Sequence, residues 1–89
     1  MHKKLTVAAV DQQISEAIPN GTEHSRVRTI LDSLRLEHST FDEKSRTIAA
    51  MVPDDAKKGI IRRTFHITFV FDSAGNLASH TVKEALTGP

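Results

Sequence analysis

The sequence predicts an α+β fold in which two N-terminal helices pack on one face of a four-stranded antiparallel meander sheet, in the order α-α-β-β-β-β. Two observations support this class. Apolar residues recur with helical spacing early in the chain, and they alternate with polar residues near its end. With 89 residues, 38% of them hydrophobic, the chain suits a single domain with one modest core. We expect residues 1–9 to be a flexible or leader segment of that domain.

Both helices are predicted before residue 36. Apolar residues follow a helical repeat in two segments, first Val10, Ile14, Ala17 and Ile18, then Val27, Ile30, Leu31 and Leu34. Pro19 ends the first helix, because the residue before a proline avoids the α region. Thr22 is the predicted N-cap of the second helix, which we expect to end near Arg35.

Two short strands are predicted next, over residues 37–41 and 46–52, with a polar turn between them. In the second strand Ile48, Ala50 and Val52 share one side, which indicates a single buried face. Residues 53–59 are rich in residues that turn or resist strand formation, so they predict a loop.

The last two strands form the clearest hairpin of the chain. Every second position of the first of these strands is apolar, namely Phe65, Ile67, Phe69 and Phe71. This alternation is typical of a strand with one buried face. Residues 72–75, Asp-Ser-Ala-Gly, suit a type I turn whose glycine takes positive φ, and Leu77 begins the return strand.

The return strand contains a conflict of phase. If Leu77 lies beside Phe71 on the core side, simple alternation sends Val82 and Leu86 to the opposite face. A β-bulge near residues 79–81 would restore the phase. The alternative is a sheet with apolar contacts on both of its faces.

Composition argues against several classes of protein. The chain has no cysteine, which removes disulfides, thiolate nucleophiles and cysteine zinc sites. Its 12 basic and 11 acidic residues give a net charge of +1, whereas nucleic-acid binders usually present a strongly basic face. No apolar run is long enough to span a membrane.

The first ten residues have the charge order of a signal peptide. Their apolar stretch, residues 5–10, is shorter than such a signal requires. The sequence therefore leaves the compartment open. An export signal upstream would place the domain in the periplasm or envelope, and otherwise it would be cytoplasmic.

Two short motifs resemble a known family. Residues 19–31 read Pro-Asn-Gly-Thr followed by a helix with Val27 and Leu31 four apart, and residues 71–77 read Phe-Asp-Ser-Ala-Gly-Asn-Leu. Together with the order of elements over residues 14–86, they resemble the SmpA/OmlA (BamE-type) group of small bacterial envelope proteins, which shares its architecture with the β-lactamase-inhibitor-protein domain. The resemblance implies a non-catalytic role in protein–protein contact. This chain lacks the lipobox cysteine of that group, so neither lipid anchoring nor particular partners carry over.

The sequence shows no motif for catalysis, cofactor binding or metal binding. Its five histidines lack the spacing of zinc ligands, and its serines lie in no nucleophile elbow. There is no P-loop and no dinucleotide fingerprint. We therefore expect a protein that is not an enzyme and that needs no cofactor. The enzymatic alternative is a shallow site at His66 and His80, which could be neighbours on adjacent strands.

The only basic cluster comprises Lys57, Lys58, Arg62 and Arg63. It gives the alternative function, a nucleic-acid-binding accessory protein that contacts phosphates through residues 57–63. Two features argue against nucleic acid. Asp54 and Asp55 directly precede the cluster, and the chain has no Tyr or Trp to stack on bases.

The exposed face of the long hairpin is the best candidate for a functional surface. We predict a protein-interaction module that binds a protein partner through this face or through a sheet edge. The partner-binding residues predicted for it are Arg62, Arg63, His66, Thr68 and His80. An open first or last strand could also pair with a second copy and form a weak homodimer. The sequence does not identify the partner.

Overall fold

A computed structural model describes residues 6–54 and 62–87. It confirms the α+β fold, with two helices followed by a four-stranded antiparallel sheet whose strand order is β1-β2-β3-β4. The elements are α1 (Val7–Ala17), α2 (His24–Ser33), β1 (Glu37–His38), β2 (Thr47–Asp54), β3 (Arg62–Phe71) and β4 (Leu77–Thr87). Neighbours in sequence are neighbours in the sheet, so the sheet is the predicted meander.

The helix boundaries differ from the predicted ones at three points. The first helix begins at Val7, three residues earlier than its apolar repeat suggests, because the Thr6 hydroxyl accepts a hydrogen bond from the Ala9 N–H at 3.1 Å. The predicted N-cap of α2 at Thr22 is wrong. The hydroxyl of Thr22 donates a hydrogen bond to the Pro19 carbonyl at 2.6 Å, and Glu23 is the N-cap residue of α2. The second helix ends before Arg35, whose φ of 58° is left-handed.

The strands of the first hairpin also differ in length from the prediction. β1 has only two residues, and β2 continues through Pro53 and Asp54, which the sequence places in a loop. Proline is tolerated there because β1 pairs with β2 only as far as Met51, so β2 has an open edge beyond it. Most of the predicted loop, with Lys57 and Lys58, lies outside the described residues.

The long hairpin closes as the sequence predicts. Gly75 has a φ of 85°, and the Asp72 carboxylate accepts hydrogen bonds from the N–H groups of Ala74 at 2.9 Å and Asn76 at 3.0 Å. Such side-chain bonds to the backbone favour aspartate at this turn position.

Of the two alternatives for the return strand, the structure shows the β-bulge, one residue before the expected segment. Val70 pairs with Ser79 and Phe71 pairs with Leu77, so Ala78 is the extra residue on β4. This shift restores the phase and places Val82 opposite Ile67 on the helix-covered side.

One continuous core lies between the two helices and one face of the sheet. The helix α1 lies against β4 and α2 against β1. The buried residues are Val10, Ile14, Ile18, Val27, Leu31, Ile48, Ala50, Phe65, Ile67, Phe69, Phe71 and Leu77. Because both helices pack on the same side, the other side of the sheet is free for another role.

Candidate functional site

The face of the sheet turned away from the helices, called here the outer face, is uncovered in the part of the chain that the structure describes. Most of its side chains come from alternate positions of the three long strands and are exposed or half-exposed. They are Thr47, Ala49, Met51 and Pro53 of β2, Thr64, His66, Thr68 and Val70 of β3, and Ser79, Thr81, Lys83 and Ala85 of β4. Most are small, hydroxylated or β-branched, as suits an exposed strand.

The centre of the outer face is poor in charge. Lys83 is the only lysine, arginine, aspartate or glutamate among these twelve residues, and the register adds two more charged residues to the same face, Glu37 of β1 opposite Met51 and Arg62 opposite Thr87. All three lie on an edge strand or at a strand end, around a centre of small, hydroxylated and apolar residues. Depletion of charge distinguishes the centre of a protein–protein interface from the rest of a protein surface.

A shallow groove of about 360 Å³ crosses this face near the short strand β1. The outer-face side chains of β2 and β3 that line it are Ala49, Met51, His66 and Thr68, and residues 37–39 of the β1 segment complete the lining. The groove lies where β1 pairs with β2, since Glu37 is opposite Met51 and the Ser39 N–H donates to the Ala49 carbonyl at 2.8 Å. Methionine at such a place adapts its shape to different apolar groups.

Two of the predicted partner-binding residues lie together on the outer face. His66 stands between Met51 of β2 and Lys83 of β4, and Thr68 stands between Ala49 and Thr81. Both side chains are exposed. Arg62 is the first residue of β3, and its backbone pairs with Thr87.

Arg63 lies on the covered face instead. Its guanidinium is 2.9 Å from the Glu84 carboxylate and 5.3 Å from the centre of the Phe65 ring, and the side chain is only 17% exposed. This placement follows from alternation, because Arg63 shares the parity of the buried Phe65 and Ile67. Its charge therefore packs against the end of the core.

His80 does not neighbour His66, contrary to the expectation. It pairs with Phe69 on the covered face, whereas the partner of His66 is Lys83 on the outer face. The cause is the bulge at Ala78, which turns every later residue of β4 to the other side. The imidazole Nε2 of His80 is 2.7 Å from the Asp11 carboxylate of α1, and the side chain is 11% exposed.

Ser15, His80 and Asp11 lie next to one another, but they are not arranged as a serine–histidine–aspartate catalytic triad. Ser15 Oγ lies 3.4 Å from Nε2, the same nitrogen that the aspartate contacts, whereas a relay needs the two groups on opposite nitrogens. The Ser15 hydroxyl donates to the Asp11 carbonyl at 2.8 Å. This cluster fastens α1 to β4.

A second histidine–carboxylate pair fastens α2 to the other edge strand. His38 Nε2 is 2.6 Å from Asp32 Oδ1, and His38 Nδ1 is 2.9 Å from the Ser39 carbonyl oxygen. Both ring nitrogens face acceptors, so both can be satisfied only in the imidazolium form. The Ser39 carbonyl and then the Asp32 carboxylate raise the pKa of His38 above its ordinary value of 6.5.

Sequence reasoning missed the role of His24. Its ring stacks on Phe41 with centroids 4.2 Å apart and meets Phe71 edge-on, so it completes an aromatic cluster beside the hairpin turn. The groove residues Ala49 and Met51 were also missed. Their only signal is that they alternate with the apolar residues Ile48, Ala50 and Val52 that face the core.

Comparisons with known proteins give no match: no family model, no curated protein and no solved structure is similar to this chain. The resemblance to the SmpA/OmlA group stays a prediction. Within residues 6–54 and 62–87, acidic and histidine side chains nowhere gather in a group of three able to hold a metal ion. In the same part of the chain, no helix has the length and apolar character needed to cross a membrane.

Proposed function

We propose that this domain is a non-catalytic protein-interaction module that binds a protein partner through the outer face of its sheet. The observation that carries the proposal is an exposed sheet face whose centre has no charged residue, since Glu37, Arg62 and Lys83 lie at its edges and ends. The resemblance to the SmpA/OmlA group supports the same role and suggests the bacterial envelope as its setting.

The groove defines what the partner would present. Ala49 and Met51 offer an apolar surface, while His66 and Thr68 offer hydrogen-bonding groups beside it. A protein segment with one apolar side chain flanked by polar backbone or hydroxyl groups fits this lining. The rows of threonine and serine on the neighbouring strands would contact the polar surroundings of that segment.

Nucleic acid fits the described surface less well. Phosphate binding needs several cations on one face, whereas the described positions of the outer face include only two basic residues, Lys83 and Arg62, together with the acidic Glu37. Arg63, which the sequence assigns to a basic cluster, packs against Phe65 and Glu84 on the covered face. A protein partner therefore accounts for more of the surface.

Site-specific photo-crosslinking tests the proposal. A photoreactive residue replaces Thr68 on the outer face, and in a matched variant it replaces Gln13, which is exposed on α1. Both proteins are irradiated in a bacterial envelope extract. We expect a discrete adduct from position 68 that position 13 does not form, and we expect excess wild-type domain to suppress it.

The competitor Ala49→Arg supplies the specificity control. Ala49 is exposed in the groove, so an arginine there blocks the groove without touching the core. We expect this variant to compete at least tenfold less well than wild type, which corresponds to about 1.4 kcal/mol. Equal competition by the two proteins, or the same adducts from both probe positions, contradicts the proposal. Low-salt binding of a mixed-sequence oligonucleotide that Lys83→Ala abolishes would favour nucleic acid instead.

A further inference from the structure

The two edges of the sheet differ in how well they could pair with another strand. On one side β1 offers only two residues, and the stretch of β2 beyond it contains Pro53, which cannot donate to a ladder. On the other side β4 has eleven residues and no proline. An edge of the first kind resists pairing, whereas an edge of the second kind invites it.

Most of β4 has no second neighbour among the described residues. Its outer side is paired only at its start, where the Gly21 N–H donates to the Leu77 carbonyl at 2.7 Å and the Leu77 N–H donates to the Thr22 carbonyl at 2.8 Å. Near the other end of the strand, Leu86 is 68% exposed, the most exposed of the large apolar side chains that the structure describes. The long edge therefore has both unpaired backbone and an uncovered apolar side chain.

We propose that β4 pairs antiparallel with β4 of a second copy, about a two-fold axis at Val82, to form a continuous eight-stranded sheet. Symmetry limits the possible registers. Directly opposed residues of an antiparallel pair lie on the same face, so a two-fold axis must place one residue opposite its own copy. The register is therefore defined by which residue of β4 lies on the two-fold axis.

Charge selects Val82 among these residues. Centres at Lys83 or Glu84 would set like charges directly opposite each other, and centres at Thr81 or Ala85 give shorter ladders. The Val82 centre opposes two β-branched apolar side chains. It also places Glu84 opposite His80 of the second copy and Lys83 opposite Thr81 of the second copy.

The same register accounts for the exposed leucine. It brings Leu86 beside Ala78 of the second copy, at the bulge where that copy's own α1 and β4 are joined. The proposed contact is confined to one strand of each copy, whereas a typical stable complex buries roughly 1,200 Å² or more of surface. The expected dimer is therefore weak and depends on protein concentration.

Charged substitutions at Thr81 test both the dimer and its register. Thr81 is exposed on the outer face, so Thr81→Lys and Thr81→Glu leave the core unchanged. In the proposed register each places a charge opposite Lys83 of the second copy, twice per dimer. We expect sedimentation equilibrium to show a dissociation constant about fivefold higher for Thr81→Lys and about fivefold lower for Thr81→Glu.

Thr68→Lys and Thr68→Glu are the matched controls, since Thr68 lies directly across from Thr81 on the same face but one strand away from the edge. We expect neither control to change the dissociation constant by more than about twofold, and high salt to reduce the opposite effects at Thr81. Wild-type protein that stays monomeric at the highest soluble concentration overturns the proposal. A dimer that responds equally to lysine and glutamate at position 81 overturns the register and with it the proposal.

Discussion

The two faces of the same three strands are built on different principles. Along β3 the buried residues Phe65, Ile67 and Phe69 alternate with the accessible residues Thr64, His66 and Thr68. The covered face holds the large apolar side chains and joins the helices through histidine–carboxylate pairs at both edge strands. The outer face has no such pair among the described residues, and its only large apolar side chains there are Met51 and Val70. The stability of the fold therefore depends on the covered face. The residues of the outer face are not constrained by packing, so a binding partner can determine which residues stand there.

Alanine substitutions at two adjacent residues of β3 give the sharpest test of this comparison. Ile67 is fully buried and its neighbour Thr68 is exposed. We expect Ile67→Ala to lower the free energy of unfolding by about 2–5 kcal/mol, because it removes buried apolar surface and leaves a cavity. Thr68→Ala should change it by less than about 0.5 kcal/mol. Urea denaturation followed by circular dichroism measures both.

The same substitution is also tested for its effect on partner binding. With the photoreactive residue placed at the exposed position of His66, Thr68→Ala should weaken the crosslinked adduct with the protein partner while leaving the free energy of unfolding unchanged. If the two substitutions destabilise the domain equally, the outer face contributes to the fold and the comparison between the faces fails.

Much of the covered face was predictable from the sequence, because burial leaves a periodic pattern. The alternation of Phe65 to Phe71 predicts β3, and the phase conflict at Val82 indicates a bulge as one of two alternatives, of which the structure shows the bulge. The helical repeats give α1 and α2 within a few residues. These signals are strong since each apolar residue has only one environment that suits it.

The outer face was predictable only in part, since polar residues tolerate many environments. His66 and Thr68 lie where alternation puts them, but the face taken by His80 depends on the exact position of the bulge. A bulge located after His80 instead of before it would place His80 on the outer face opposite Thr68, and the sequence does not fix the position of the bulge. The groove depends on how β1 pairs with β2, and the sequence predicts a longer first strand than the two residues found.

Alanine substitutions at two glycines test whether the packing of the covered face extends into the hairpin turn. Gly75 and Gly21 both have positive φ, at 85° and 94°, so alanine is strained at either position. At Gly75 the added Cβ would also stand 3.1 Å from His24 Cδ2, whereas at Gly21 nothing lies within 4 Å. We expect Gly75→Ala to cost about 2 kcal/mol and Gly21→Ala about 1 kcal/mol in the free energy of unfolding.

The double variant Gly75→Ala with His24→Ala separates the two contributions at this turn. Removing the imidazole should bring the cost of Gly75→Ala down to that of Gly21→Ala, as measured by thermal and urea unfolding. If Gly75→Ala lowers the free energy of unfolding by the same amount with and without the His24 imidazole, the contact with His24 does not contribute to the cost.

The smallest expected effect concerns the ion pair between His38 and Asp32 at the β1 edge. The Ser39 carbonyl and the Asp32 carboxylate raise the pKa of His38, so the folded state binds its proton more tightly than the unfolded chain does. This contribution to stability is fully present below the ordinary pKa of 6.5 and is lost as pH rises through the raised value. Stability should therefore be greater near about pH 5.5 than near about pH 8.5, apart from the contributions of other groups.

Two graded variants isolate that contribution. Asp32→Asn removes the carboxylate but keeps the Ser39 carbonyl, so it should reduce the pH dependence of the free energy of unfolding. His38→Gln removes the titrating group and should abolish this part of the dependence. Once His38 is glutamine, Asp32→Asn should have the same small effect at both pH values. If His38→Gln leaves the pH dependence of the free energy of unfolding unchanged from wild type, the dependence comes from other groups and the ion pair between His38 and Asp32 does not contribute to it.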